Sequence, residues 1–306
     1  MPRTQSQQHI AVVGAGLMGH AIAYTLASTG HTVSIFDRTA AALDSLPERL
    51  SAAAETLGHD AQYKDAIQIC AQLRDAASEA NLVIEAATED LDIKQFIVAE
   101  LEAIVSPDTI IASNTSALPI TEIATKALHQ DRILGTHFWN PPHLVKLVEV
   151  VQAKNTAPEV VQQTMQLLGD AGYEAVHVKK DIPGFIGNRL QHALKREAIA
   201  LVADGVCDAE TVDKVVKSGF GNRLSVLGPL EQSDLVGLNL TKAIHDTLMP
   251  DIDRTDSTHP YLEKLITEGK LGMSSGEGFY KWTPAKAEAV RARLRDFLKA
   301  QSTPDS

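Results

Sequence analysis

Two cysteines in 306 residues leave almost nothing for a disulfide framework or a thiolate metal site. Cys70 and Cys207 stand far apart and match no metal or redox spacing, so each reads as a small core residue and no metal is expected. No apolar run reaches the length of about 18 residues that a transmembrane helix needs. The opening MPRTQSQQHI has no apolar stretch of the secretory kind. A cytoplasmic protein with no membrane partner is the expectation. Positive charge is also in deficit, with 28 Lys and Arg against 39 Asp and Glu, net −11. An acidic chain is poorly matched to phosphate backbones, so nucleic acid is not an expected partner. Internal repeats and low-complexity tracts are absent too.

What is there has the balance of a globular protein, 44% hydrophobic and 22% charged, with length enough for two modest domains. Short runs rich in Val and Ile recur at 9–13, 31–36, 80–87, 108–113, 132–138, 146–151 and 175–179, separated by helical or polar stretches. Strands alternating with helices imply a doubly wound, mostly parallel α/β sheet. After Pro183 and Gly184 the pattern turns helical, over 185–204, 208–218, 229–247, 259–268 and 284–300. The expected division is an α/β domain over 1–181 and an all-α domain over 182–306.

The segment VVGAGLMGHAIA holds Gly14, Gly16 and Gly19 in the spacing G-x-G-x-x-G, directly after a strand and opening a helix. Asp37 follows at the end of the next strand. Together these form the dinucleotide fingerprint of a Rossmann-type domain. Gly14 suits the tight turn, Gly16 the approach of a pyrophosphate and Gly19 close helix packing, with Leu17 and Met18 completing the loop. Asp37 would accept from ribose hydroxyls and repel a 2′-phosphate, which favours NAD over NADP; Arg38 beside it is the residue that pulls the other way. A second candidate cofactor contact is EAATEDLDIK, where Glu89 and Lys94 read equally well as ligand contacts or as a loop acid and a surface lysine.

An NAD-linked oxidation needs a base for the hydroxyl proton, and histidine suits it. In GTHFWNPPHLVKLVEVV, His137 ends one strand and Glu149 lies in the next, twelve residues on. A reversal at Asn140-Pro141-Pro142 would set them side by side, the carboxylate fixing the imidazole's tautomer. His143, inside the turn, reads as structural.

These motifs carry a resemblance. The segments VVGAGLMGHAIA, LVIEAATEDLDIK, IIASNTSALPIT, RILGTHFWNPPHLVKLVEVV, KKDIPGFIGNRL, GPLEQSDLVGL and GEGFY, in this order, resemble the L-3-hydroxyacyl-CoA dehydrogenase family over nearly the whole chain. The resemblance implies a His137–Glu149 dyad, with Ser116 and Asn188 hydrogen-bonding the reacting oxygen region. It also implies NAD contacts at Glu89, Lys94, Asn114 and Asn140, and a homodimer built through the helical domain. From the residues alone, Ser116 reads as a helix cap and Asn188 as a helix-surface polar group. The implied activity is interconversion of L-3-hydroxyacyl and 3-ketoacyl substrates of the 3-hydroxybutyryl-CoA kind.

One departure leaves the acyl carrier open. Residues 38–81 hold Arg38, Arg49, Lys64 and Arg74 against Asp44, Glu48, Glu55, Asp60, Asp65, Asp75 and Glu79, a poor cradle for CoA phosphates. That segment, the double proline and SGFGNRLSVLGPLE are more similar to relatives that oxidise small hydroxy acids without CoA, of the gulonate, carnitine or pyridine-carboxylate type. In that branch Arg223 is a candidate for a substrate carboxylate, or else a surface loop arginine. A catalytically quiet, crystallin-like NAD-binding protein is the reading from another class.

Overall fold

The computed structural model describes residues 7–59, 63 and 66–302. The first part of the chain runs β1 (His9–Val13), α1 (Gly19–Ser28), β2 (Thr32–Phe36), α2 (Ala40–Asp44), α3 (Leu46–Leu57), β3 (Ile67–Cys70), α4 (Leu73–Ala77) and β4 (Leu82–Glu85). It continues through α5 (Leu91–Glu102), β5 (Ile110–Ser113), α6 (Ile120–Ile123), β6 (Ile133–Phe138), β7 (Leu147–Val151), α7 (Pro158–Asp170) and β8 (Glu174–Val178). The strands form one sheet in the order β3-β2-β1-β4-β5-β6-β7-β8. Every neighbouring pair is parallel except β6 with β7. The chain begins mid-sheet, winds out to β3 and returns to β4 on the other side of β1. Ligands of such sheets bind at the carboxyl ends of the strands, where the winding reverses.

Successive strand residues face opposite sides of a sheet. In β1, Ile10 and Val12 pack into one core with Ile22, Leu26, Val33 and Leu50. Ala11 and Val13 pack into the other with Val83, Ile97, Leu101 and Ile111. Burial on both faces is why these strands read as unbroken apolar runs. The edge strand β3 was not among the expected strands. Its Gln68 and Ile69 are exposed, so IQIC shows neither an apolar run nor an alternation.

The chain packs as two compact units, one reaching Arg189 and taking in the stretch from Arg295 onward, the other Leu190–Leu294. Residues 182–189, expected with the helical part, belong with the first unit because the turn after Pro183 donates two N–H groups to Glu149 on β7. Beyond it come α8 (Gly187–Ala203), α9 (Ala209–Ser218), α10 (Pro229–Val236), α11 (Leu238–Leu248), α12 (Pro260–Thr267) and α13 (Pro284–Ser302). The helix expected over 229–247 is two helices, α10 and α11, broken at Gly237, whose φ of 92° only glycine adopts readily. Among the described residues no helix is long and apolar enough to cross a membrane.

Candidate active site

The glycine loop leaves β1 at Gly14. Its φ is 107°, and a Cβ there would lie 2.6 Å from the Ala86 carbonyl oxygen beyond β4, so no larger residue fits. At Gly19 a Cβ would come within 1.8 Å of the Gly14 carbonyl oxygen, which is how closely α1 approaches the loop. Gly16 faces open space, with nothing within 4 Å of a built Cβ. Leu17 is exposed, and Met18 is half-buried against the first core. A phosphate-bearing ligand fits such a loop, since it can reach the backbone at Gly16 and the N–H groups that begin α1.

Asp37, just past β2, accepts from the Ala15 N–H at 2.7 Å and the Thr39 N–H at 2.8 Å. It ties the glycine loop to the β2 end and places a negative charge where a ribose would sit. Arg38 turns away from that position. It pairs with Glu100 on α5 and lies 4.8 Å over the Phe96 ring.

At the next strand end, Lys94 and Glu85 are both fully buried. The Lys94 ammonium donates to both Glu85 carboxylate oxygens at 3.0 Å. It also lies 3.6 Å from Glu89. Glu85 further accepts from Ser113 Oγ at 2.6 Å and the Ala87 N–H at 2.7 Å. Glu89 accepts from Thr115 Oγ1 at 2.6 Å, the Ser116 N–H at 2.8 Å and the Ala117 N–H at 3.2 Å. Burial pushes the Glu89 pKa up, but these bonds and Lys94 together bring it below the ordinary value. Lys94 is therefore enclosed beneath the loop rather than displayed on it, and it links β4 to the loop that carries Ser116. Glu85 is the organising residue absent from the sequence reading. Its signal, an acid closing the apolar run LVIE, is the one that singled out Glu149.

His137 on β6 stands directly opposite Glu149 on β7 in antiparallel register. His137 Nδ1 lies 2.8 Å from Glu149 Oε2, with His137 5% and Glu149 1% exposed. An ionised carboxylate only accepts, so Nδ1 carries the proton and Nε2 is left as the basic nitrogen. The other carboxylate oxygen accepts from the Ile186 N–H at 2.9 Å and the Gly187 N–H at 3.1 Å. Burial works to raise the Glu149 pKa, but the His137, Gly187 and Ile186 bonds outweigh it and hold the group below its usual value. The Ile186 and Gly187 donors are aimed by Gly184 and Phe185, which turn left-handed with φ of 75° and 50°. Phe185, fully buried, and Trp139 flank the imidazole with ring centroids 5.7 and 5.3 Å away.

Asn188, in the first turn of α8, donates from Nδ2 to the Ser116 carbonyl at 2.8 Å. Ser116 and Asn188, 72 positions apart in sequence, thus meet. Asn114 accepts from the Phe138 N–H at 3.0 Å, joining the β5 and β6 ends. Asn140 is exposed on the turn. His143 is half-buried away from Glu149; burial first, then His20, Lys146 and Lys299, lower its pKa to about 4. Arg223 lies in the second unit, exposed on a short turn before α10.

A sheet in this strand order, a glycine loop closing β1, an acid closing β2 and a carboxylate-held histidine define a dinucleotide-dependent dehydrogenase. The chain belongs to the 3-hydroxyacyl-CoA dehydrogenase family, an oxidoreductase family whose cofactor is NAD. The family's NAD binding domain matches residues 9–182 and its C-terminal domain residues 184–282. The chain is 34% identical over 290 residues to 5-formyl-3-hydroxy-2-methylpyridine 4-carboxylate 5-dehydrogenase of Mesorhizobium japonicum, covering 93% of this chain and 94% of that protein. It is also 34% identical over 281 residues to 3-hydroxybutyryl-CoA dehydrogenase of Clostridioides difficile, covering 89% and 99%. A crystal structure of 5-formyl-3-hydroxy-2-methylpyridine 4-carboxylic acid 5-dehydrogenase, described as an NAD+-dependent dismutase, superimposes with a TM-score of 0.90 at 34% identity, covering 96% of this chain and 97% of that one.

Proposed function

We propose that the protein interconverts a secondary alcohol and its ketone, with His137 as base and acid and Glu149 as the group that orients and steadies it. The observation that carries this reading is the buried His137–Glu149 pair in register across β6 and β7. NAD, when bound, supplies the hydride acceptor. His137 Nε2 takes the hydroxyl proton in oxidation and returns it in reduction. Glu149 is ionised near neutral pH, so it stabilises the imidazolium formed in between. Ser116 and Asn188, brought together beside the loop that Glu89 holds, orient the reacting oxygen. Glu89, Lys94, Asn114 and Asn140 shape the nicotinamide end of the cofactor site, and Lys94 does so from beneath. A catalytically quiet protein has no use for a buried dyad, which speaks against a purely structural role.

The substrate best supported is a small hydroxy acid without CoA. Arg38 is committed to Glu100 and Phe96. Arg49 is committed to the Ala15 and Ala42 carbonyls. Neither is free for CoA phosphates. A CoA thioester of an L-3-hydroxy acid, with a place in fatty acid metabolism, is the second reading, favoured by the family description itself. NADH oxidation with acetoacetyl-CoA should be compared with that on a panel of free 3-keto and related keto carboxylic acids. At least one free acid should exceed the thioester in kcat/KM by about tenfold or more, the size of discrimination a few pocket contacts give. The reverse order assigns the CoA substrate, and inertness toward both classes rejects the dehydrogenase reading.

The working form is a homodimer in the cytoplasm, joined through the helical unit. In residues 190–294, Ala200, Leu265 and Ala287 are the buried hydrophobics among the described residues. Leu230 is 81% and Leu235 73% exposed, and Leu238, Leu240, Ile244 and Leu248 are exposed with them. So little burial cannot support a helical unit of this size, and a second copy supplies the missing cover. Light scattering should give twice the 33.0 kDa of one chain; a single-chain mass at micromolar concentration excludes the dimer.

A further inference from the structure

Arg49, on the third helix of the first unit, makes contacts that the dehydrogenase chemistry does not call for. Its Nη1 donates to the Ala15 carbonyl and, at 3.1 Å, to the Gly16 carbonyl. Its Nη2 donates to the Ala42 carbonyl at 2.6 Å and Ser45 Oγ at 3.1 Å. From the other element, His20 Nδ1 lies 2.8 Å from the same Gly16 oxygen and donates to it. Two carbonyls of the glycine loop are therefore gripped by side chains, one of them from both sides. The helix that carries Arg49 is anchored by Leu46, Leu50, Ala53 and Ala54 in the first core, so the guanidinium is held on a rigid support.

We propose that Arg49 is a positioning residue for the cofactor's pyrophosphate, acting through the peptide planes of the glycine loop. A trans peptide is planar, with the carbonyl of one residue opposed to the N–H of the next. Fixing the Ala15 and Gly16 carbonyls on the protein side points the Gly16 and Leu17 N–H groups outward, toward the open space at Gly16. Successive N–H groups aimed in this way form an anion-binding concavity. The guanidinium behind them adds positive potential in an otherwise acidic chain. Lysine replaces it only in part, because the grip needs a planar fork that reaches several acceptors at once. The clamp acts on the cofactor and is independent of which substrate the enzyme takes.

Calorimetric titration of R49M and R49K with NADH, ADP-ribose and adenosine tests the clamp. R49M should weaken NADH and ADP-ribose by about tenfold, as expected for loss of charge-assisted bonds that order a site. Adenosine, which has no phosphate, should change by less than about twofold. R49K should fall between wild type and R49M, and the kinetic loss should appear in KM for NADH rather than in kcat. Unchanged NADH affinity in R49M overturns the proposal, as does a parallel loss of adenosine, which would mark a general structural role. If R49M does not fold, R49K decides: weaker NADH with unchanged adenosine supports the clamp, and wild-type affinity for NADH overturns it.

Discussion

Replacing His137 with alanine should lower kcat by roughly a thousandfold, the middle of the range for a positioned general base. That factor corresponds to about 4 kcal/mol of transition-state stabilisation. The size follows from how completely the structure commits this one imidazole. Its register partner is Glu149, its Nδ1 is held at 2.8 Å, and two aromatic rings fix its plane. Among the described residues, neither His143 nor His20 is placed to substitute. His143 is half-buried with a pKa near 4, lowered first by burial, and His20 is committed to the Gly16 carbonyl. A loss smaller than about tenfold would assign the proton transfer elsewhere.

The largest effect on stability should come from Lys94→Ala, at about 3–5 kcal/mol, because it strands a buried carboxylate. Glu85 is 0% exposed, and Lys94 is its only cationic partner among the described residues. Ser113 and the Ala87 N–H would remain as neutral donors and could not offset the charge. The double change Lys94→Met with Glu85→Leu should recover most of the loss, since it removes both charges and keeps the volume. Urea midpoints of the three proteins check this. A Lys94→Ala cost below about 1 kcal/mol would show that the pair is a surface-like bridge rather than a buried support.

Much of the site was legible because its chemistry writes itself into local pattern. A glycine loop between a strand and a helix, and an acid at the next strand's end, can be read without coordinates. So could the dyad, because an acid inside LVEVV is too costly without a partner and twelve-residue spacing across a turn sets His137 opposite it. The same rule applied to LVIE would have found Glu85, but the residue stands at a strand end, where a solvated acid is equally ordinary. The sequence marks Lys94 as a candidate contact but not as a buried lysine, since burial depends on what the β4 and β5 ends place above it. Arg49 left no signal, because its partners in the glycine loop are backbone carbonyls, which have no sequence identity. The edge strand β3 and the break at Gly237 were missed for related reasons: half the strand is exposed, and one glycine inside an apolar helix pattern does not announce its φ. The sparse core of the helical unit was likewise invisible, because apolar spacing looks the same whether a helix packs within its own chain or against another copy.

The cofactor site stands without the dyad, and the reaction does not. The most direct test is NADH affinity and turnover measured on one folded preparation of His137→Ala. The expected result is a Kd for NADH within about twofold of wild type together with the thousandfold loss of turnover. Near-wild-type turnover in that preparation, or turnover lost only because NADH no longer binds, would contradict it.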